Sequence, residues 1–211
     1  MLDALGRSLD ADDLERWMAM YGGRKARRQA DVAVVMAGNI PAVGFHDFLC
    51  VLMAGHRIKA KLSSDDRDLL PAMAGLLWEI NPEYRDLIEF SDGAVKDFDA
   101  VIATGSNNTA RYFNYYFGRY PHIIRRNRNG LAVISGGESR EELAAIGEDI
   151  FTYFGLGCRN VSRLMVPDGY DFSVFFNAIE GYRLVAEHHK YRNNYDYNKS
   201  IFLVNGEPHY D

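Results

Sequence analysis

The residue best equipped for covalent chemistry is Cys158, in the run Gly155-Leu156-Gly157-Cys158-Arg159-Asn160 that follows an amphipathic stretch. Glycines allow a tight turn and a close approach of substrate to sulfur. Arg159 and neighbouring backbone N–H groups favour the thiolate, which is the reactive form. The same string also reads as a glycine-terminated helix that a cysteine happens to follow. Two other loops have compositions that chemistry uses. Thr104-Gly105-Ser106-Asn107-Asn108 joins an apolar run to a helical one, and small polar residues at a helix start can hold a phosphate with backbone N–H groups and the helix dipole. It is not a G-x-G-x-x-G fingerprint, and a plainly capped helix would look alike. Gly38-Asn39-Ile40-Pro41 follows the first apolar run. Its Asn39 amide suits a developing oxyanion, or an ordinary Asx turn.

Poorer candidates complete the set. His188 and His189 are adjacent, so their side chains diverge and lack metal-ligand spacing. His46 lies in an apolar helical stretch and reads as a satisfied core residue. Tyr112, Phe113, Tyr116 and Phe117 fall on one helical face, as core or as the lining of an acyl pocket. No Ser-His-Asp order, P-loop or zinc motif occurs, and no metal is expected.

These loops need elements to position them, and the periodicity supplies strands and helices in alternation. DVAVVMAG (31–38), RIKAK (57–61), LIEF (87–90), DAVIATG (99–105), LAVIS (131–135) and VSRLMV (161–166) read as strands. Helices are expected from Val43 to Ala54, from Leu69 to Ile80 before Asn81-Pro82, and after Ser106. Ser139-Arg140-Glu141-Glu142 matches a capping box and opens another helix, with Leu143, Ile146, Ile150, Phe151 and Phe154 on one face. A further helix runs from Asp171 to about Ile179, and IFLVN (201–205) reads as a last strand after a polar, aromatic tract. Leu14, Trp17 and Met18 mark a helical segment ended by Gly22-Gly23. Such alternation predicts an α/β fold with a parallel sheet and crossover helices.

Composition sets the bounds. The 211 residues are 47% hydrophobic and 25% charged, enough to bury a core. A net charge of −5 gives no electrostatic reason to expect nucleic acid as partner, and the short basic run Arg24, Lys25, Arg27 and Arg28 reads as a solvated linker. Cys50, in an apolar run, reads as a small buried hydrophobe, and two cysteines make no disulfide framework. No signal-peptide pattern is present, and no apolar run approaches the roughly 18 residues of a membrane span. A cytoplasmic location is therefore expected.

Taken in order, the loops resemble the aldehyde dehydrogenase superfamily: Asn39-Ile40-Pro41 its Asn-Phe-Pro segment, Ala54-Gly55-His56 through Lys61-Leu62-Ser63 its Ala-Gly-Asn to Lys-Pro-Ser strand, Thr104-Gly105-Ser106 its Thr-Gly-Ser turn, and Gly157-Cys158 with Ser162-Arg163-Leu164 its nucleophile segment. MAGNIPAVGFHDFL, ATGSNNTARYF and YFGLGCRNVSRLMVP are similar to the LuxC-like acyl-CoA reductases, across roughly residues 32 to 204. The resemblance implies Cys158 as nucleophile and an oxyanion hole of Asn39 with the Cys158 N–H. It implies cofactor contacts from Lys61, Ser63, Thr104, Gly105 and Ser106, with Gly105 and Ser106 on the pyrophosphate and Lys61 on the adenosine ribose. Two departures matter. Where acid-forming members carry a glutamate base, this chain reads Ile124-Arg125-Arg126-Asn127-Arg128. Three residues after the ribose lysine, where NAD-specific members often carry Glu, stands Ser64.

The resulting expectation is an aldehyde dehydrogenase-like fold: an N-terminal helical segment (1–30), a Rossmann-like NAD(P)-binding domain (31–130) and a partial catalytic domain (131–211) lacking its C-terminal part. The expected reaction is NADPH-dependent reduction of a fatty acyl-CoA, or another acyl thioester, to an aldehyde through a Cys158 acyl-enzyme, with NADH as the other candidate donor of hydride. A second copy of the chain or an acyl-activating enzyme is the partner this chemistry admits. The alternatives are an acyl-phosphate reductase of similar fold and a truncated binding protein without catalysis.

Overall fold

A computed structural model describes residues 2–22 and 28–206, so Arg24, Lys25 and Arg27 of the basic run lie outside the described residues. The chain divides into two compact units. The first comprises Met1–Gly38, Ala42–Thr104 and Thr109–Arg125, and the second Asn39–Pro41, Gly105–Asn108 and Arg126–Asp211.

The first unit is built on a five-stranded sheet in the order β3-β2-β1-β4-β5, from β1 (Asp31–Val35), β2 (Arg57–Lys61), β3 (Ile88–Ser91), β4 (Ala100–Thr104) and β5 (His122–Arg125). Every pairing is parallel, with Val32 facing both Ile58 and Ala100. Parallel strands must be covered on both faces, which explains the unbroken apolar runs of β1 and β4. The crossovers are α3 (Phe45–Met53), α4 (Leu69–Ile80) and α5 (Asn107–Phe117), preceded by α1 (Leu2–Ser8) and α2 (Ala11–Ala19). On one face Val32, Val34, Ile58 and Ala60 pack with Phe45, Phe48, Leu70 and Ala74. On the other, Ala33, Val101 and Ala103 meet Phe98, Phe113 and Phe117.

Two readings change here. Only Phe113 and Phe117 of the α5 aromatics pack inward, while Tyr112 and Tyr116 are exposed. The phenol hydroxyl leaves tyrosine content at the surface, so aromatic spacing overstated the buried face. The strand β5, too short and too polar to register in periodicity, completes the sheet edge.

The second unit holds a two-stranded parallel sheet of β6 (Gly130–Val133) and β7 (Val161–Met165), with α6 (Arg140–Phe151), α7 (Phe172–Ile179) and α8 (His189–Asn205). Its core gathers Ile134, Leu143 and Phe175 around Ile146, Ile150 and Leu164. The capping box of α6 is formed in full, with Ser139 and Glu142 exchanging side chain and backbone bonds. IFLVN is not a strand. It forms the last turns of α8, which closes on left-handed Gly206.

Candidate functional site

The Cys158 segment begins where α6 stops. Beyond Phe151 the chain enters three successive left-handed residues, Tyr153 (φ 53°), Phe154 (φ 60°) and Gly155 (φ 70°). For the two that carry a Cβ this conformation costs roughly 1–2 kcal/mol each, so side-chain contacts must hold it. The Phe154 ring stacks on His188 with centroids 3.7 Å apart, and Phe151 stacks on Tyr182.

A tight turn follows, closed by the Asn160 N–H donating to the Gly157 carbonyl at 3.1 Å. Cys158 and Arg159 are its two central residues, both exposed, and the Cys158 thiol is free. Among the described residues the Cys158 and Arg159 N–H groups donate to no backbone carbonyl.

Asn160 binds this turn to its surroundings. Its Oδ1 accepts from the Gly157 N–H at 2.7 Å, and its Nδ2 faces the carbonyls of Asp149 (2.7 Å), Thr152 (2.9 Å) and Ile150 (3.3 Å). The Asp149 and Ile150 carbonyls belong to the last turn of α6 and the Thr152 carbonyl to its C-cap, where a helix end leaves acceptors without partners. The Asn160 carbonyl in turn accepts from Gly130 at 2.7 Å, at the start of β6. Gly157 is required for this arrangement, since a Cβ there would stand 2.6 Å from Asn160 Oδ1.

The Asn39 amide donates to the Leu156 carbonyl, two residues before the cysteine, and Ile40 lies 4.0 Å from where a Gly157 Cβ would be. The second unit therefore places Asn39 beside the Cys158 turn. An amide nitrogen carries two hydrogens, so one N–H of Asn39 is left for another acceptor. Asn160 was not foreseen. The one available signal was an asparagine three residues after a glycine, the spacing of a side-chain-locked turn.

In the first unit Lys61 ends β2 and Thr104 ends β4, both at the carboxyl edge of the sheet, where open α/β sheets take their ligands. The strand order reverses between β1 and β4, which is the switch point of such a sheet. Gly105 and Ser106 continue from Thr104 into α5, whose first turn contains no acidic residue. Gly38, after β1, lies so near Ser63 that a Cβ would fall 2.6 Å from the serine Cβ. Asp66 accepts the N–H of left-handed Ala42 at 2.6 Å and so fixes the chain leaving Pro41. A helix start without carboxylates is the kind of place where backbone N–H groups can hold a phosphate.

No protein-family model matches the chain, and no curated protein matches it. Solved structures do. Lactaldehyde dehydrogenase from Escherichia coli superposes with a TM-score of 0.63 at 17% identity, covering 78% of this chain and 41% of that one. The aldehyde dehydrogenase KauB from Pseudomonas aeruginosa gives 0.61 at 17% identity, over 72% and 34%. An aldehyde dehydrogenase from Bacillus cereus, solved with NAD+, gives 0.59 at 18% identity, over 72% and 34%. The fold is aldehyde dehydrogenase-like. The chain spans between a third and about two-fifths of the length of these structures.

Arg125 is ion-paired, with its Nη1 2.5 Å from Oδ2 of the buried Asp47 on α3. Two side chains depart from the sequence reading. Cys50 is half-buried rather than enclosed, with Sγ 3.6 Å from His46 Nε2, and it lines a pocket of about 610 Å³ with Trp17, Tyr21 and Met53. Burial, then the Asp47 carboxylate, pushes its thiol pKa up. His46 itself is exposed, since it sits opposite the α3 face that carries Phe45 and Phe48 into the core. Among the described residues no helix is long and apolar enough to cross a membrane.

Proposed function

We propose that this chain carries the nucleophile and cofactor-binding edge of an NADPH-dependent acyl-thioester reductase, acting on a fatty acyl-CoA through a Cys158 acyl-enzyme. The observation that carries the reading is the exposed Cys158 in the middle of a locked turn, with the Asn39 amide anchored two residues before it. The assignment rests on residues 31–130 serving as the NAD(P)-binding domain, after the helical segment 1–30, and on 131–211 as the start of the catalytic domain.

In this mechanism the Cys158 sulfur attacks the thioester carbonyl carbon. The oxygen that gains charge accepts from the remaining Asn39 N–H and from the Cys158 N–H. The carbonyl re-forms as the CoA thiolate leaves, and the acyl group stays on sulfur. When bound, NADPH supplies the hydride that reduces the carbonyl carbon. Gly105 and Ser106 hold its pyrophosphate, with Thr104 and Ser63 beside them, and Lys61 binds the adenosine ribose. Breakage of the carbon–sulfur bond then frees an aldehyde. Water competes poorly for the acyl group, because deacylation by water needs a positioned base and the stretch from Arg125 to Asn129 has no carboxylate.

Intact-mass measurement after incubation with acyl-CoAs of several chain lengths tests this reading. A single acyl adduct on Cys158, absent in Cys158→Ala and discharged as aldehyde by NADPH, is the expected result. An adduct on Cys50, or steady release of free acid from aldehyde and NADP without CoA, overturns it.

A further inference from the structure

The reductase reading leaves open what makes the Cys158 turn rigid enough for its backbone to act as an oxyanion donor. Nothing in the covalent chain does so. Three left-handed residues precede the turn, and Cys158 and Arg159 are exposed at its apex. Within the turn itself, Asn160 supplies the tether. Asn160 Oδ1 takes the Gly157 N–H, its Nδ2 reaches the Asp149, Ile150 and Thr152 carbonyls, its own N–H closes the turn on Gly157, and its carbonyl receives Gly130.

Two consequences follow from these bonds. The Gly157 N–H is spent on Asn160, so it is removed from competition for the oxyanion, and the Cys158 N–H is left as the backbone donor. The Gly157 peptide also cannot flip without breaking the Oδ1 bond, and a flip would turn the Leu156–Gly157 segment away from the Asn39 amide that donates to it.

We propose that Asn160 is the positioning residue of the reaction. It holds the Cys158 N–H and the Asn39 amide in one geometry without touching substrate, and the inference rests on the acyl-enzyme reading given above. A misplacement on the scale of 1 Å costs about 10²-fold in rate for a donor pair of this kind. An attack that develops no oxyanion is insensitive to it. The two kinds of electrophile therefore separate positioning from general damage.

The test compares wild type, Asn160→Ala and Asn160→Asp. The aspartate has no amide hydrogens, so its second oxygen would face the Asp149, Ile150 and Thr152 carbonyls and drive the side chain from its place at Gly157; it serves as the second variant should the alanine form fail to fold. Each is reacted with decanoyl-CoA, whose acylation passes through an oxyanion, and with iodoacetamide, whose alkylation does not. Cys158 modification is followed by peptide mass mapping. In both variants, acylation should fall by about 10²-fold at unchanged half-saturation for decanoyl-CoA, while iodoacetamide alkylation stays within about threefold. Equal losses with both reagents, or a loss confined to substrate affinity, overturn the proposal. Failure of wild type itself to acylate, with alkylation intact, overturns the acyl-enzyme reading and this inference with it. Failure seen only in the ratio between variants and wild type removes Asn160 alone.

Discussion

The pair formed by Asp47 and Arg125 gives the sharpest test of the energetics of the first unit. Asp47 sits in the first turn of α3 and Arg125 at the end of β5, with side chains 12% and 25% exposed and 2.5 Å between Oδ2 and Nη1. A fully exposed pair contributes at most about 1 kcal/mol, whereas removing one partner of a fully buried pair costs about 3–5 kcal/mol. This pair lies between those limits. Arg125 can swing part of its guanidinium into water, so Asp47→Ala should cost about 2 kcal/mol. For a chain of this size that is a fall in Tm of about 4–8 °C. The double replacement Asp47→Leu with Arg125→Met removes both charges at similar volume and should recover to within about 1 kcal/mol of wild type. Urea unfolding of Asp47→Leu, Arg125→Met and their double variant gives the coupling energy, at low and at high salt. Salt should change it little, because a covered pair is weakly screened. A coupling below about 0.5 kcal/mol, or one that vanishes in 1 M salt, would refute the claim that burial sets its strength. If the guanidinium is committed to Asp47, Arg125→Gln should also leave half-saturation by acyl-CoA unchanged.

Two further outcomes are expected. Asn39→Ala should lower turnover by about 10²–10³-fold with cofactor binding unchanged, and a loss below threefold in steady-state assay would reduce Asn39 to a turn former. The Glu138 carboxylate accepts from the Ser135 N–H, the Ser135 hydroxyl and the Gly136 N–H, and its pKa is lowered from the ordinary 4.5 to about 2. A depressed carboxylate contributes stability above its unfolded pKa and loses it as pH falls through the folded one. The loop before α6 should therefore weaken between about pH 4.5 and 2, and an NMR titration midpoint for Glu138 near 4.5 would show those bonds to be absent in solution.

Much of the first unit is legible in the sequence because burial on both faces imposes unbroken apolar runs. RIKAK spans β2 from end to end, and Leu69 to Ile80 is α4, stopped where Asn81-Pro82 excludes helical backbone. IFLVN misled for the opposite reason. Its β-branched, aromatic composition favours a strand, but α8 is already running from His188, and each added residue extends it for one further hydrogen bond. Phe202, Leu203 and Val204 are exposed there, so no strand partner outweighs that propagation. The site divides in the same way. Asn39 and Cys158 were legible as residue types in loops, whereas the tether between them depends on side-chain hydrogen bonds that leave no periodic trace. Asn160 is invisible to any pattern of apolar spacing, and the Asp47–Arg125 pair joins residues 78 positions apart.

In the proposed acyl transfer, the choice between the two cysteines turns on backbone donors as well as on the thiol. By local chemistry Cys50 has the stronger claim, since an imidazole nitrogen lies 3.6 Å from its sulfur in the arrangement of a thiol and its base. Two features of its position cancel that advantage. Burial and the neighbouring Asp47 carboxylate push the thiol pKa up, so the thiolate is disfavoured where it would be needed. Cys50 also lies inside α3, where backbone N–H groups beyond the first turn are spent on carbonyls four residues back, so an oxyanion formed there would find no backbone donor. Cys158 occupies the centre of a turn, where its own N–H makes no backbone hydrogen bond among the described residues and the Asn39 amide is held two residues away. Acyl transfer is limited by the charge that develops on oxygen as well as by the thiol, and each backbone or amide donor contributes about 3–4 kcal/mol to stabilising that charge. Under the proposed function, the backbone, more than the sulfur, therefore decides which cysteine carries the acyl group.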